Sequence, residues 1–273
     1  RHELVADISG SQLKELAKGL RRLIPQKEKK VRYGVRTQDL ARAMDLAFPG
    51  RSPDELMWRA LLSIAFCGLM RGAEVAIAEG DAFAPLRHLT RSDVNFFTEV
   101  DGTECAEITI RVAKRVGASK TTKVILGGGG SIVDAVRELR RYVDSWEDDG
   151  WPASQTPLFS FASTRKAVGV ASVRGMVKAL MASLGYDPRT FGAHSLRIGG
   201  ASAAFAAGIE PSAIRLAGRW SSDVYEIYVR LSRQAASRLG RVIGSSAFED
   251  LERGEFVSEE LEMRPLECNH EAA

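Results

Sequence analysis

Apolar positions along the chain follow two periods, one helical and one extended. Leu13, Leu16, Leu20 and Leu23 share one helical stripe, which predicts a helix over residues 12–23 followed by a polar linker at 25–30. A second helix is predicted over 37–47. Ser52-Pro53-Asp54-Glu55 then supplies an N-cap, a proline at the first helical position and a reciprocal glutamate. The helix it opens should bury Leu56, Ala60, Leu61, Ile64 and Ala65 and end near Gly68. That stop delivers Leu69-Met70-Arg71-Gly72 to a turn, so Arg71 falls at a helix junction.

Between residues 105 and 112 the period changes to two. Ile108, Ile110 and Val112 lie on one face of a predicted strand, with Glu107, Thr109 and Arg111 on the other. Residues 122–126 form a second strand bounded by the glycines at 127–130. The two are expected to pair as a hairpin whose loop holds Lys114, Arg115, Gly117 and Lys120, with Lys123 in the strand. Helical periodicity returns at Ile132, Val136, Leu139, Val143 and Trp146, and again at Val173, Met176, Val177, Leu180 and Leu184. From there the chain is expected to be helical to about residue 242. No internal repeat is visible.

Composition narrows the class. With 45% hydrophobic and 27% charged residues, the chain is neither disordered nor collagen-like. No window carries the roughly 18 apolar residues of a membrane span. Three cysteines, Cys67, Cys105 and Cys268, are far apart and are expected to be free thiols. The chain opens on Arg1 with no apolar leader, the expectation for a piece of a longer protein that stays inside the cell. Net charge is +3, yet residues 248–273 hold nine acids against Arg253 and Arg264, net −7, which leaves +10 on residues 1–247. Nine Lys/Arg between residues 14 and 36 face only Glu15 and Glu28, and Arg111, Lys114, Arg115, Lys120 and Lys123 form a second basic cluster. Such clusters suit a polyanion, whose neutralisation releases counterions; a solvated charged face is the equally weighted alternative.

Three boxes carry the candidate chemistry. His194-Ser195-Leu196-Arg197-Ile198-Gly199-Gly200 is followed by Gly218-Arg219-Trp220-Ser221-Ser222-Asp223 and then by Tyr225-Glu226-Ile227-Tyr228-Val229-Arg230. With these residues the sequence resembles the tyrosine recombinase (phage integrase) family, whose signature is His-x-x-Arg, then His or Trp, then a nucleophilic Tyr. Upstream, Gly68-Leu69-Met70-Arg71-Gly72-Ala73-Glu74 looks like the family's first catalytic-arginine box, and Lys114 matches its hairpin lysine. The resemblance spans residues 37–246. The Gly-Arg-Trp-Ser-Ser-Asp wording is most similar to recombinases of eukaryotic mobile elements or viruses.

The resemblance implies a mainly α-helical catalytic domain with a small antiparallel β-sheet, the DNA breaking-rejoining fold of class α+β, over residues 31–247. Residues 1–30 would be the remnant of a preceding DNA-gripping domain with its linker, and 248–273 an acidic tail. It implies catalytic roles for Arg71, Lys114, His194, Arg197, Trp220 and Tyr228. It implies no cofactor and no metal, double-stranded DNA as partner, a homotetramer on DNA, no membrane, and a place in the nucleus of a eukaryote or the cytoplasm and nucleoid otherwise.

Chemistry explains the residue types. Planar guanidinium groups such as Arg71 and Arg197 suit two-point contact with phosphate oxygens, and one donor at developing charge is typically worth about 10²- to 10³-fold in rate. Alanine at either position is therefore expected to remove cleavage and leave the fold intact. A phenol with a pKa of about 10 needs a base, which His194 supplies, and the departing 5′ oxygen needs a proton, which Lys114 supplies. Trp220 offers an indole N–H and a flat surface. Glu74 reads as structural. Two choices stay open: Lys120 competes with Lys114, and Tyr225, three residues before Tyr228 on a predicted helix, competes for the nucleophile. A DNA-binding module without chemistry is the other class of reading, since Ala204, Gly208 and Ile214 have helix-turn-helix spacing. An inactive, domesticated recombinase would keep the fold and the DNA.

Overall fold

The cap expected at Ser52 forms: its side-chain oxygen accepts the Glu55 N–H at 3.3 Å, and Pro53 opens the helix. This computed structural model describes residues 15, 32–113, 119–146 and 150–220. The chain divides into two compact units, Arg1–Val31 and Arg32–Ala273, and the elements that follow belong to the second. They are α1 (Thr37–Ala47), α2 (Pro53–Cys67), the one-turn α3 (Gly72–Val75), β1 (Val94–Thr98), β2 (Glu104–Ala113), β3 (Ser119–Gly127), α4 (Ala135–Asp144), α5 (Val170–Ser183), α6 (Ala193–Ala206) and α7 (Pro211–Ala217). The helix expected over 12–23, the hairpin tip at 114–118, both candidate tyrosines and the acidic tail lie outside the described residues.

Helix α2 is the axis of the core. Met57, Ala60, Leu61, Leu62, Ser63 and Ile64 are fully buried, so it is enclosed on all sides rather than along one stripe. It packs against α4 and α6. One charged tie crosses this core: Arg59 forks onto Glu138 of α4 at 2.8 and 3.0 Å and reaches the Phe48 carbonyl and Asp45, each at 3.0 Å. Two-point pairing is what makes such a buried charge tolerable.

The three strands form an antiparallel sheet in the order β1-β2-β3. Val94 lies opposite Ile108, which lies opposite Val124, and Ala106, Ile108, Ile110, Val124 and Leu126 supply the buried face. The hairpin was legible from its alternation. β1 was not, because Val94-Asn95-Phe96-Phe97-Thr98 places two aromatics side by side and breaks the period of two.

Several expectations need correction. Lys120 is not in the hairpin loop; its backbone belongs to β3, opposite Val112. The second basic cluster is partly neutralised, since Arg111 is bonded to the buried Asp93 and Lys123 pairs with Glu107 at 2.9 Å. Helix α4 starts three residues after Ile132, which is 59% exposed, because Asp134 caps it by accepting the Arg137 N–H at 3.0 Å. The run after α5 is not continuous helix: α5 stops at Ser183 and α6 begins at Ala193. Leu56 is only half-buried. Cys67 and Cys105 are free thiols. Among the described residues no helix is long and apolar enough to cross a membrane.

Candidate active site

Two helix ends build the site. At the end of α2, Gly68 caps the helix and Leu69 takes a left-handed backbone, φ 47°; Leu69 N–H bonds the Phe66 carbonyl at 3.3 Å and Met70 N–H the Ala65 carbonyl at 3.0 Å. At the end of α7 the pattern repeats: Gly218 caps, Arg219 is left-handed at φ 58°, and the Arg219 and Trp220 N–H groups bond the Leu216 and Arg215 carbonyls at 2.9 and 3.1 Å. Both are Schellman turns, whose left-handed position glycine fills at no steric cost. Helices α5 and α6 follow that rule with Gly185 and Gly208. The two ends at the site break it, at about 1–2 kcal/mol each for a left-handed L-residue. At α7 the preceding position must itself be glycine, since a Cβ at 218 would lie 1.6 Å from the Trp220 ring.

Arg197 ties these two ends together. It lies on α6, is 0% exposed, and donates Nη1 to the Leu69 carbonyl at 2.7 Å and Nη2 to the Gly218 carbonyl. The carbonyl ends of helices attract a cation, so the fork binds α2 and α7 at once. Its Cζ lies 4.0 Å from the centre of the Trp220 ring, which covers it. Gly199 and Gly200 allow α6 to come this close. A Cβ at 199 would meet the Val35 carbonyl oxygen at 1.9 Å and one at 200 the Phe66 oxygen at 2.2 Å. Arg197 is thus a structural bolt, closed off from direct two-point contact with a phosphate in this arrangement, and its loss is expected to cost stability as well as cleavage.

Arg71 presents the accessible fork. It caps α3, and 48% of its side chain is exposed. Nη1 donates to Glu74 Oε1 at 2.8 Å, the backbone N–H to Glu74 Oε2 at 2.7 Å, and Nη2 to the Arg219 carbonyl at 3.0 Å. Arg219 closes the knot, with Nη2 2.8 Å from Glu74 Oε2 and 3.2 Å from the Leu69 carbonyl, and Nη1 2.7 Å from the Ala217 carbonyl. Burial would push the Glu74 carboxyl up, but the Arg219 charge and the Arg71 N–H outweigh it and hold it below the ordinary 4.5.

His194 sits in the first turn of α6, three residues ahead of Arg197, with Ser195 behind it accepting the Gly192 N–H at 3.1 Å. The ring is exposed at the surface, yet desolvation on its protein side comes first, followed by the charges of Arg197 and Arg71, in holding its pKa below 6.5. A neutral imidazole beside two guanidinium groups is the state a proton acceptor needs.

The structure therefore brings Arg71, His194, Arg197 and Trp220 into one cluster. Lys114 and Tyr228, like Tyr225, lie outside the described residues; Lys114 directly follows the last residue of β2. Sequence reasoning passed over Arg219 and treated Glu74 as scaffold. The available signal was a non-glycine residue directly after a helix-ending glycine, at both Gly68-Leu69 and Gly218-Arg219. Among the described residues no group of three or more His, Cys, Asp or Glu is placed to hold a metal ion.

No family model matches the sequence, and no curated protein is similar to it. Solved structures are similar. The XerH site-specific recombinase bound to palindromic difH substrate, in its post-cleavage complex, superposes with a TM-score of 0.56 at 18% identity over 79% of this chain and 54% of that one. The XerH pre-cleavage complex gives 0.51 at 18% over 77% and 54%, and XerA recombinase 0.50 at 19% over 84% and 71%. The chain spans about half the length of XerH. At such identities the likeness is one of architecture: helix-rich, with a small three-stranded antiparallel sheet, the chain has the fold of a tyrosine recombinase catalytic domain.

Proposed function

We propose that this chain is the catalytic part of a site-specific DNA recombinase or integrase that cuts and rejoins double-stranded DNA through a covalent 3′-phosphotyrosyl intermediate. The observation that carries the reading is the convergence of Arg71, at the N-cap of α3, with His194 and Arg197, both on α6, from two elements more than 120 positions apart in the chain. In the reaction, the Tyr228 phenol oxygen bonds to phosphorus as the P–O5′ bond breaks. His194 takes the phenol proton, Lys114 gives one to the 5′ oxygen, the exposed Arg71 meets the charge that builds on the non-bridging oxygens, and the buried Arg197 adds its positive field from behind Trp220. One phosphate ester replaces another, so the exchange calls for no nucleotide and no metal. The Trp220 ring over Arg197 keeps that guanidinium dry, where its field is strongest.

The partner in this reading is duplex DNA, in the nucleus or nucleoid, held by a tetramer of the full protein. XerH is bound to difH substrate in its complexes, and the basic balance of residues 1–247 suits such a ligand. Origin in a eukaryotic mobile element or virus rests on the wording of residues 218–223 alone, and the chemistry does not depend on it.

A DNA-binding module without chemistry is the second reading. It is favoured by the tight turn between α6 and α7, where Gly208 is left-handed at φ 81° and Ile214 is 1% exposed. One experiment separates the two. A nicked suicide duplex carrying the DNA ends that flank the coding element should trap a denaturation-resistant adduct that peptide mapping places on Tyr228. A nucleotide remnant on Tyr225 would reassign the nucleophile. No adduct on either tyrosine with the full-length protein would leave the binding module.

A further inference from the structure

Arg219 carries two burdens that helix capping alone does not explain. Its backbone is left-handed where the equivalent positions of α5 and α6 use glycine, and its buried Nε makes no hydrogen bond among the described residues. What its guanidinium reaches is Glu74, 2.8 Å away and 145 positions back in the chain, with 12% and 10% of the two side chains exposed.

The consequence is electrostatic. Glu74 Oε1 serves Arg71, and Oε2 is divided between the Arg71 N–H and Arg219. One carboxylate thus stands between two guanidinium groups, and its charge cannot cancel both. Without Arg219 the same carboxylate would face Arg71 alone, as a close one-to-one pair with little net attraction for a third, anionic group. The carbonyl of Arg219 also fixes Nη2 of Arg71 at 3.0 Å, so residue 219 both steers that fork and preserves its charge.

We propose that Arg219 is a positioning residue: by sharing Glu74 with Arg71, it keeps the exposed Arg71 guanidinium oriented and electropositive enough to receive a phosphate. The inference rests on the recombinase reading and adds to it the counter-charge that lets Glu74 hold Arg71 in place without neutralising it.

The test uses the full chain with inorganic phosphate as the probe, read by NMR at the Arg71 Nε–H and the His194 ring. Arg219→Gly suits the left-handed backbone and should fold; Arg219→Asn, which also tolerates that region, is the second variant. Phosphate affinity should fall at least about threefold in Arg219→Gly and return to within about twofold of wild type in Arg219→Gly/Glu74→Gln, the signature of two coupled residues. A capping role predicts no such rescue, because Glu74→Gln returns no donor to the Leu69 and Ala217 carbonyls. Unchanged affinity in a folded Arg219 variant, a loss that Glu74→Gln leaves in place, or a wild-type protein whose Arg71 ignores phosphate would each overturn the proposal. The tyrosine-adduct experiment is independent: an adduct without the rescue sinks the role of Arg219 alone, and the rescue without an adduct sinks the recombinase reading alone.

Discussion

The guanidinium carbon of Arg197 lies 4.0 Å from the centre of the Trp220 ring, a cation stacked on an aromatic face inside the protein. A desolvated contact of this kind is worth about 2 kcal/mol or more. Trp220→Ala should therefore lower unfolding free energy by at least that amount in urea titration, while Trp220→Phe, which keeps a face over the cation, should lose about half as much or less. Equal losses in the two variants would show that the ring packs apolar neighbours and does not hold Arg197.

The two arginines of the site should separate by stability. Arg71 is half-exposed, so Arg71→Ala should cost less than about 1 kcal/mol in folding. Arg197→Ala removes two charge-assisted hydrogen bonds to buried carbonyls, each worth about 1.5–3 kcal/mol, and should cost about 3 kcal/mol or more. Both should lower adduct formation by about 10²-fold or more. Parallel melting and adduct assays decide it, and an Arg197→Ala protein as stable as wild type would contradict the bolt.

Acid should act through Glu74 and His194 with the same sign. Glu74 titrates below 4.5 in the folded protein, so the unfolded chain binds its proton first as pH falls. The stability Glu74 contributes is present above pH 4.5 and is lost as pH drops through its lower folded value. His194 is also held low, so the unfolded state takes that proton first below 6.5, and stability declines from there down to its folded pKa. An NMR titration should place the His194 midpoint below 6.5, and addition of phosphate should raise it toward the ordinary value. A midpoint above 6.5 in the free protein would reverse the assignment of His194 as a neutral base.

Glycines of α5 and α6 should respond oppositely to alanine. At Gly199 the new Cβ would sit 1.9 Å from the Val35 oxygen, and moving that backbone should cost about 1–3 kcal/mol or more. At Gly175, on the exposed side of α5, nothing lies within 4 Å, and alanine should stabilise by about 0.5–1 kcal/mol. Urea midpoints of the two variants check both signs, and equal shifts would mean that α6 can back away from residue 35.

Local patterns were legible in the chain. Helix α1 spans Thr37–Ala47, the expected 37–47, because its apolar positions repeat within four residues and need no distant partner to be recognised. The Ser52 cap, the β2–β3 pairing and the helix junction at Arg71 came from the same short-range rules. Asp134 could have placed the start of α4 had its capping role been weighed above the apolar repeat through Ile132. The resemblance in the His-x-x-Arg and Gly-Arg-Trp boxes named a cluster whose described members, Arg71, His194, Arg197 and Trp220, do meet.

What spacing could not carry is which arginine is buried and which is open. Arg71 and Arg197 look alike as residues, yet one is half in water and the other is sealed beneath Trp220. That difference arises when the ends of α2 and α7, about 150 positions apart, are brought against α6. Likewise Glu74 gains its second cation from Arg219, a partner no local rule could select. Capping, turns and strand alternation are decided by hydrogen bonds among near neighbours and are written in the chain within a few residues. The burial of a charge and the sharing of a carboxylate are decided by desolvation and Coulomb energy, which depend on what distant segments place around the group.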